Sequence, residues 1–486
     1  MTSTSRAFPA DFLFGAATAA FQIEGAAHAD GRRDSVWDAF CRVPGAVVGG
    51  HDGAVACDHY HRYREDVALM REIGLETYRF STSWARIRPD GGLVNPKGLD
   101  FYRRLVDELL GAGIRPWLTL YHWDLPQALQ ERGGWTVRET ADRFTEYALD
   151  VHDALGDRVA VWTTLNEPWC AAFLGYTAGA HAPGRRSAAE GMLAAHHLLL
   201  GHGQAVRALR ARDRSLELGI TINLTVADPV DAADPADADA ARRIDGQFNR
   251  WFLDPLFRGA YPADVLDDFR TVDAAAVALL EEAVRDGDLE TIAAPLDTLG
   301  VNYYHGEYVG GHAPAVAPPS TDAPTPRPPG SPFPSHEGVF WHERGLARTS
   351  QNWEVQPEGL TRILRRVATE YAGGVPLYVT ENGAAYDDVL VASEDGGFRV
   401  ADADRDAFLR AHLDAVLDAI EEGVDVRGYF AWSLLDNFEW AWGYAKRFGI
   451  VHVDFSTQRR TLKDSAIGYS RIIAERVVPE AAPVGS

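Results

Sequence analysis

The strongest constraint on the fold is a repeated alternation of short apolar runs with amphipathic segments. Each run is rich in β-branched or aromatic residues and leads through a polar or Gly-containing turn into a segment of helical periodicity. Strands that alternate with helices pair in parallel and are buried on both faces. The pattern predicts eight strands, at residues 12–17, 77–80, 116–120, 161–165, 218–223, 298–302, 377–380 and 428–432.

The amphipathic segments have clear ends. In the first of them Gly74 is placed to end the helix, after five residues that share one helical face: Tyr60, Tyr63, Val67, Met70 and Ile73. Similar apolar stripes precede Gly111 and Gly423. An open doubly wound sheet is the alternative arrangement, but no Gly-rich dinucleotide or phosphate loop follows an early strand. We therefore predict an α/β fold, a single (β/α)8 TIM barrel over residues 1–486, with elaborated loops at the C-terminal strand ends.

Two segments depart from the alternation. Residues 226–241 are rich in Asp and Ala, and we predict a solvated loop that leads into a helix. Residues 310–335 contain many prolines, which are excluded from helix interiors and central strands. We predict that 310–335 is a long loop over the barrel mouth, with a disordered linker as the alternative.

Charge and cysteine content narrow the classes of partner. With 47 Lys and Arg against 70 Asp and Glu, the formal charge is −23, which opposes binding to nucleic acid or to an anionic membrane. The 3 cysteines form no metal-binding spacing or disulfide framework. Residues 1–12 lack the cationic start and continuous apolar run typical of a secretory leader, and no later stretch has enough uninterrupted apolar residues to span a bilayer, so the sequence indicates neither secretion nor membrane insertion. We predict a cytoplasmic protein with a small-molecule partner, and the sequence leaves homo-oligomer formation open.

Two glutamates stand where a predicted strand ends. Glu167 follows the fourth strand in Thr-Leu-Asn-Glu-Pro, and Glu381 follows the seventh in Val-Thr-Glu-Asn-Gly. Either could be a loop residue that hydrogen-bonds the backbone. Cleavage of a glycosidic bond with retention requires an acid for the leaving oxygen and a carboxylate to attack the anomeric carbon, about 5 Å apart. Two glutamates at one barrel mouth meet that requirement.

The sequence resembles glycoside hydrolase family 1, the β-glucosidases and their relatives, over nearly its whole length. The motifs run from Phe-Leu-Phe-Gly-Ala-Ala-Thr at 12–18 to Phe-Gly-Ile-Val at 448–451. Between them lie Gln-Ile-Glu-Gly at 22–25, Tyr-Arg-Phe-Ser at 78–81 and His-Trp-Asp-Leu-Pro at 122–126. The Asn-Glu-Pro and Thr-Glu-Asn-Gly motifs and Trp-Ser-Leu-Leu-Asp-Asn-Phe-Glu-Trp at 432–440 complete the set.

The resemblance implies a role for each matching residue. Glu167 would be the acid/base and Glu381 the nucleophile, the latter held by Arg79 and Tyr304. Asn166 would bind the sugar 2-hydroxyl. Trp432 would be the stacking floor, although an aromatic-rich stretch is more often core than a binding platform. The remaining implied substrate-binding residues are Gln22, His122, Trp123, Asn302, Trp353, Glu439, Trp440 and Phe448.

The implied activity is that of a retaining, exo-acting β-glycosidase. It would remove terminal nonreducing β-D-glucosyl residues, and also galactosyl or fucosyl residues, from disaccharides, short oligosaccharides or aryl glycosides. The alternatives are a transglycosylase, a 6-phospho-β-glycosidase and a non-catalytic sugar-binding barrel. Glu439 disfavours phosphorylated sugars because its charge would repel a phosphate, whereas Lys446 and Arg447 argue mildly for them.

No cofactor or metal is expected. His122 beside Asp124, and His59 and His61 near Asp58, could suggest metal ligands, but neither group has further ligands at a usual spacing. The leaving-group side is the least defined part of the predicted site. Trp353 resembles the family's leaving-group platform, yet Ser350 and Asn352 stand where the family usually has Asp and Gly.

Overall fold

The computed structural model describes residues 6–392 and 398–479, so the predicted domain 1–486 extends beyond the described residues at both ends and at 393–397. Eight parallel strands close into a barrel, and the predicted fold is confirmed. The strands are β1 (Leu13–Ala17), β2 (Thr77–Ser81), β3 (Arg115–Tyr121), β4 (Val161–Asn166), β5 (Glu217–Asn223), β6 (Thr298–Asn302), β7 (Leu377–Asn382) and β8 (Val426–Trp432). Each lies within one or two residues of a predicted strand, and the errors are at the ends, where periodicity carries least information.

Helices cover the outside of the barrel. Seven strands are each followed by one long helix: α1 (His59–Ile73), α2 (Pro96–Gly111), α3 (Glu139–Leu155), α4 (Ala188–Arg212), α5 (Pro357–Val367), α6 (Ala403–Glu421) and α7 (Asp464–Glu475). The connection from β5 to β6 contains five α-helices of 5 to 11 residues: Pro235–Asp245, Trp251–Arg258, Ala263–Val272, Ala274–Ala283 and Asp288–Ile292. In the described part of the chain, no helix is both long and apolar enough to cross a membrane.

The positions of the helix ends are explained by the residues that cap them. Gly74 takes a φ of 87° directly after α1 and satisfies the last carbonyls, as predicted from its position. The apolar stripe of α2 is buried as predicted, but Gly111 is the last residue of this helix and Ala112 is its C-cap. The segment predicted as a loop from 226 begins instead with a short strand, Ala227–Pro229. Its helix starts at Pro235, because Asp234 caps the Ala236 N–H.

The barrel closes between its first and last strands. β1 pairs with β8 from Leu13 opposite Gly428 to Ala17 opposite Trp432. Inside, Trp117 of β3 packs against Tyr378 of β7, with ring centroids 4.7 Å apart. Because β3 and β7 are not neighbours in the sheet, this contact crosses the barrel interior. Side chains therefore fill the barrel, and open space is left at its mouth.

Small sheets and irregular loops build up the C-terminal side of the barrel. A three-stranded sheet joins Ala227–Pro229, Glu307–Gly310 and Phe340–Trp341. Most of 310–335 has neither helix nor strand, and residues between 318 and 333 line the cavity at the mouth.

Candidate active site

A cavity of about 680 Å³ lies at the C-terminal ends of the strands, within the range of small-molecule sites. Eleven of the predicted site residues line it: His122, Trp123, Glu167, Asn302, Tyr304, Trp353, Glu381, Trp432, Glu439, Trp440 and Phe448. The other three, Gln22, Arg79 and Asn166, are buried and hydrogen-bonded at the base of the same region. The structure therefore brings together all fourteen positions that the motifs singled out.

Glu381 is held at both carboxylate oxygens. Arg79 donates from Nη1 to Oε1 at 2.6 Å, and the Tyr304 hydroxyl donates to Oε2 at 2.7 Å. Burial raises the pKa of Glu381, while the Arg79 charge and the Tyr304 hydrogen bond act in the opposite direction. Burial outweighs these contacts, but Arg79 and Tyr304 stabilise the carboxylate form of Glu381 and orient it toward the cavity.

The residues around Glu381 explain the local motif. Thr380 donates from Oγ1 to Asn302 Oδ1 at 2.8 Å, and Asn382 donates from Nδ2 to the Tyr303 carbonyl at 2.6 Å. A Cβ atom at Gly383 would lie 1.7 Å from the Trp432 carbonyl oxygen, so only glycine fits there. The Thr-Glu-Asn-Gly segment at 380–383 thus connects β7 to its two neighbours in the barrel, β6 and β8.

Glu167 has a different environment. Its φ of 46° is left-handed and turns the chain out of β4, while its N–H still donates to Thr221 O. Asn302 Nδ2 donates to Oε1 at 2.7 Å, and the Cys170 thiol donates to Oε2 at 3.3 Å. Burial and the nearby charge of Glu381 raise the pKa of Glu167 to about 8. No cation contacts this carboxyl among the described residues, so the protonated form is favoured at neutral pH.

Asn166 connects the two glutamates. Its Oδ1 accepts from Arg79 Nη2 at 2.6 Å and from Asn302 Nδ2 at 3.2 Å. Its Nδ2 donates to His122 Nε2 at 3.0 Å. Burial and the Arg79 charge lower the pKa of His122 well below its usual value, so the ring is neutral and its proton lies on Nδ1. That buried N–H has no partner among the described residues and can donate to a ligand.

Polar and aromatic groups alternate at the inner end of the cavity. Gln22 Nε2 donates to Phe438 O at 2.9 Å, which leaves its Oε1 without a partner in the described structure. Burial and the charges of Glu381 and Glu167 raise the pKa of Glu439 to about 8. The Trp432 and His122 rings are stacked at 5.8 Å. Unpaired oxygens beside flat aromatic faces suit a sugar, which has both hydroxyls and an apolar face.

The outer end is built around Trp353. Its ring stacks on His305 at 4.9 Å and contacts Tyr304 at 5.5 Å. Asn352 has a φ of 66°, a conformation that glycine adopts freely and asparagine tolerates. Asn352 therefore takes a backbone conformation that the Gly implied by the resemblance would also adopt.

Sequence reasoning missed several residues of the cavity. Cys170 lies three residues after Glu167 and Asn223 ends β5, so helical spacing and the strand-end rule could have identified both. Trp169 and Phe333, whose rings are 5.5 Å apart, meet through a long connection that leaves no local signal.

The histidines considered as metal ligands have other partners. His59 Nδ1 lies 2.7 Å from Asp66, and His61 Nδ1 lies 2.5 Å from Asp58. Elsewhere in the described residues, two groups of three side chains have closely spaced ligand atoms: Asp234, Asp237 and His312, and Asp388, Asp436 and His452. Neither group includes a histidine that the sequence suggested. The expectation that the protein needs no metal stays a prediction.

Comparisons with known proteins agree with the motifs. The profile described as Glycosyl hydrolase family 1 matches residues 4–477. A thermostable beta-glucosidase B from Thermobispora bispora is 51% identical over 467 residues, covering 96% of this chain and 90% of that protein. A bifunctional beta-D-glucosidase/beta-D-fucosidase from Bifidobacterium breve is 45% identical over 474 residues, covering 96% and 98%.

Solved structures agree as well. The crystal structure of a psychrophilic beta-glucosidase from Micrococcus antarcticus matches with a TM-score of 0.92 and 56% identity, covering 97% of this chain and 98% of that one. The resemblance inferred from the motifs is confirmed, and the chain belongs to glycosyl hydrolase family 1.

Proposed function

We propose that this chain hydrolyses terminal β-D-glucosides with retention of configuration, with Glu167 as acid/base and Glu381 as nucleophile. The observation that carries the proposal is the contrast between two carboxyls in one buried cavity. Arg79 stabilises the charge of Glu381, whereas burial and that charge keep Glu167 protonated. A retaining glycosidase requires this division between an ionised and a protonated carboxyl.

In the first half of the reaction, a Glu381 oxygen attacks the anomeric carbon while the bond to the leaving oxygen breaks. Glu167 gives its proton to that oxygen, so an alcohol leaves and a glycosyl ester forms on Glu381. Tyr304 and Arg79 orient the attacking carboxylate through its two oxygens.

In the second half, Glu167 acts as a base. The ester carries no charge, so the repulsion that raised the pKa of Glu167 is removed and the carboxylate form is favoured. Glu167 takes a proton from water, the water oxygen attacks the anomeric carbon, and the bond to Glu381 breaks. The sugar leaves with its original configuration, and both glutamates return to their starting states.

The unpaired groups of the inner end support a single sugar subsite. We assign the hydroxyls to His122 Nδ1–H, Gln22 Oε1 and Glu439 Oε2, and the apolar sugar face to Trp432. One Nδ2 hydrogen of Asn166 is committed to His122, and the other is free for the 2-hydroxyl.

Substrate breadth follows from the same groups. The surroundings of Glu439 already disfavour negative charge, since burial and the charges of Glu381 and Glu167 raise its pKa to about 8, and this favours plain sugars over 6-phosphorylated ones. The relative from Bifidobacterium breve, whose name includes fucosidase activity, supports fucosides as further substrates. Transglycosylation would use the same ester and remains the alternative fate of the intermediate. A cytoplasmic location, a single domain and the lack of a nucleic-acid partner stay predictions from the sequence.

The nucleophile can be identified by trapping. A 2-fluoro glucoside with a good leaving group forms the ester quickly but hydrolyses it slowly, because fluorine destabilises the oxocarbenium-like transition state. We expect stoichiometric inactivation and a peptide label on Glu381 by mass spectrometry. A label elsewhere, or full activity without a label, would contradict the assignment.

Glu167 requires a separate test. In Glu167→Ala we expect kcat for poor leaving groups to fall by about 10²–10⁴-fold. Formation of the ester from a 2,4-dinitrophenyl glucoside should survive, because that leaving group needs no proton. Added azide should then accelerate turnover and give a β-glucosyl azide. An α-azide product would contradict a retaining mechanism.

A further inference from the structure

Residues 313–325 form a strap over the outer half of the cavity. Pro318, Ser320, Asp322 and Ala323 line the cavity from this side, and Trp353 lines it from another. A sugar held against Glu381 therefore has the strap and Trp353 around its leaving group.

Both ends of the strap are fixed to the body of the protein. Before it, Gly311 N donates to Asp237 Oδ1 at 2.8 Å. After it, Arg327 Nη2 donates to Gly184 O at 3.1 Å, and Gly330 N donates to Ala178 O at 2.9 Å. The strap thus crosses the mouth between fixed points.

The middle of the strap has one polar tie to the body. Asn352 Nδ2 donates to Ser320 O at 2.7 Å. Within the described residues, the other hydrogen bond that leaves 313–325 is local, from Thr325 Oγ1 to Arg327 O at 3.0 Å at the end of the strap, so the Asn352 bond is the one that joins its middle to the body. Most of these residues are exposed, so little apolar burial adds to it. Four prolines, at 314, 318, 319 and 324, make the segment semi-rigid, so one central tie can set its position.

The tie connects the strap to the leaving-group platform. Asn352 precedes Trp353 and holds its left-handed conformation, with a φ of 66°. Glycine would keep this backbone but could not reach Ser320. The polar side chain at 352 therefore adds a contact that the loop shape alone does not need.

We propose that Asn352 is a specificity-determining residue that holds the strap over the cavity and so limits the length of the leaving group. The inference rests on the proposed function, since it assumes glycoside hydrolysis at Glu381. A short aryl group fits inside the cavity, whereas an oligosaccharide has to pass between the strap and Trp353. Releasing the tie lets the strap move outward and favours the longer substrate.

The test compares cellotetraose with 4-nitrophenyl β-glucoside in two variants. Asn352→Gly keeps the left-handed turn without the side chain, and Asn352→Asp keeps the side-chain shape without the donor. In both, we expect kcat/KM for cellotetraose relative to the aryl glucoside to rise by about threefold to tenfold, the range set by loss of one neutral hydrogen bond. The gain should come from a lower KM for cellotetraose.

Gln458→Gly is the matched control. Gln458 also has a left-handed φ, of 61°, and donates from its side-chain amide to a backbone carbonyl, Ala56 O, at 3.1 Å. It does not line the cavity, and its substitution should leave the substrate ratio unchanged. Hydrogen exchange at 320–323 should accelerate in both Asn352 variants and not in the control.

An unchanged or lower substrate ratio, or unchanged exchange in the strap, would overturn the role of Asn352. Failure of the proposed function has a different signature. Wild-type protein would then hydrolyse neither substrate, and no ester would form on Glu381.

Discussion

Glu167 and Glu381 share one cavity, yet their neighbours favour opposite protonation states. Activity requires Glu167 protonated, and burial raises its pKa to about 8, so kcat/KM should fall as pH rises through that value. It also requires Glu381 ionised, so kcat/KM should fall again as pH drops through the Glu381 pKa. A bell-shaped profile is expected.

Substitution of Cys170 should shift the basic limb of the pH profile, which is the fall of kcat/KM at high pH. Its thiol donates to Glu167 Oε2, which stabilises the carboxylate. Cys170→Val removes this donor without a large change in volume, so the pKa of Glu167 rises. We expect the basic limb of kcat/KM to move to higher pH by about half a unit, in line with the weakness of S–H donors. Cys170→Ser, with a stronger donor, should move it lower.

Cys57 provides the control for this prediction. It is also buried and donates through its thiol, at 3.0 Å, but to Asp436 O rather than to a catalytic carboxyl. Cys57→Val should leave the basic limb in place. Equal shifts in the Cys57 and Cys170 variants would show that packing, not the hydrogen bond, sets the limb.

At the scale of secondary structure, the pairing of β6 with β7 orients the active-site amides. Thr380 on β7 donates to Asn302 Oδ1 on β6, which directs Asn302 Nδ2 toward Glu167 and Asn166. Strand register thus decides which end of the Asn302 amide meets the acid.

Thr380→Val should remove the side-chain hydrogen bond between β7 and β6 without changing the shape of the side chain at position 380. It leaves Asn302 Oδ1 buried without its donor, at a cost of about 1–3 kcal/mol in the free energy of unfolding. Misorientation of Asn302 should also lower kcat/KM by about tenfold to hundredfold, as small misplacements in an active site do. Steady-state kinetics and urea unfolding measure the two effects.

Thr163→Val is the comparison for Thr380→Val. Thr163 is a buried strand threonine whose hydroxyl accepts from Trp117 Nε1 at 2.9 Å, away from the glutamates. Its loss should lower stability and leave kcat/KM near the wild-type value. If both variants lose activity in parallel with stability, the orienting role of Thr380 is wrong.

At the scale of the whole molecule, a buried ionic cluster joins the last strand's loop to the C-terminal helix. Lys463, directly before α7, contacts Asp436 at 2.7 Å and Asp388 at 2.8 Å. Arg447 pairs with the other Asp436 oxygen at 2.7 Å. The cluster joins the loop after β7, which contains Asp388, to the loop after β8, which carries Glu439 and Phe448 into the cavity.

Removing one member of this cluster should destabilise the entire barrel. Lys463→Met leaves Asp436 buried with less compensation, which typically costs about 3–5 kcal/mol in the free energy of unfolding. Burial acts to raise the pKa of Asp436, but the charges of Lys463, Arg447 and Arg405 hold it below its ordinary value. The ion pair of Asp436 with Lys463 therefore stabilises the fold at pH values above the unfolded-state pKa of Asp436. This contribution is lost as pH falls through the folded-state pKa of Asp436.

Denaturant unfolding of wild type and Lys463→Met at several pH values tests this. The difference in unfolding free energy should be largest at neutral pH and shrink in acid, as pH falls through the lowered folded-state pKa of Asp436. Lys97→Met is the control, because Lys97 pairs with Asp30 at an exposed site and such pairs contribute little. A difference that grows in acid would contradict the linkage.

The sequence by itself determined the number and order of the barrel strands and the placement of Glu167 and Glu381 at strand ends. These properties are local, since apolar runs, helical stripes and glycine ends are read within a few neighbouring residues. The family motifs also identified Arg79, Asn166 and Tyr304. Only the tertiary structure decided how these side chains act on each other, because burial and hydrogen bonds between distant strands set protonation states.

The course of the loops was likewise decided only by the tertiary structure. The prolines of 310–335 excluded regular structure, but they could not specify where the segment crosses the mouth. The contacts of Ser320 with Asn352 and of Phe333 with Trp169 depend on the position of whole loops around a closed barrel. Such contacts arise from packing between distant chain segments and have no periodicity, so no pattern in the sequence predicts them.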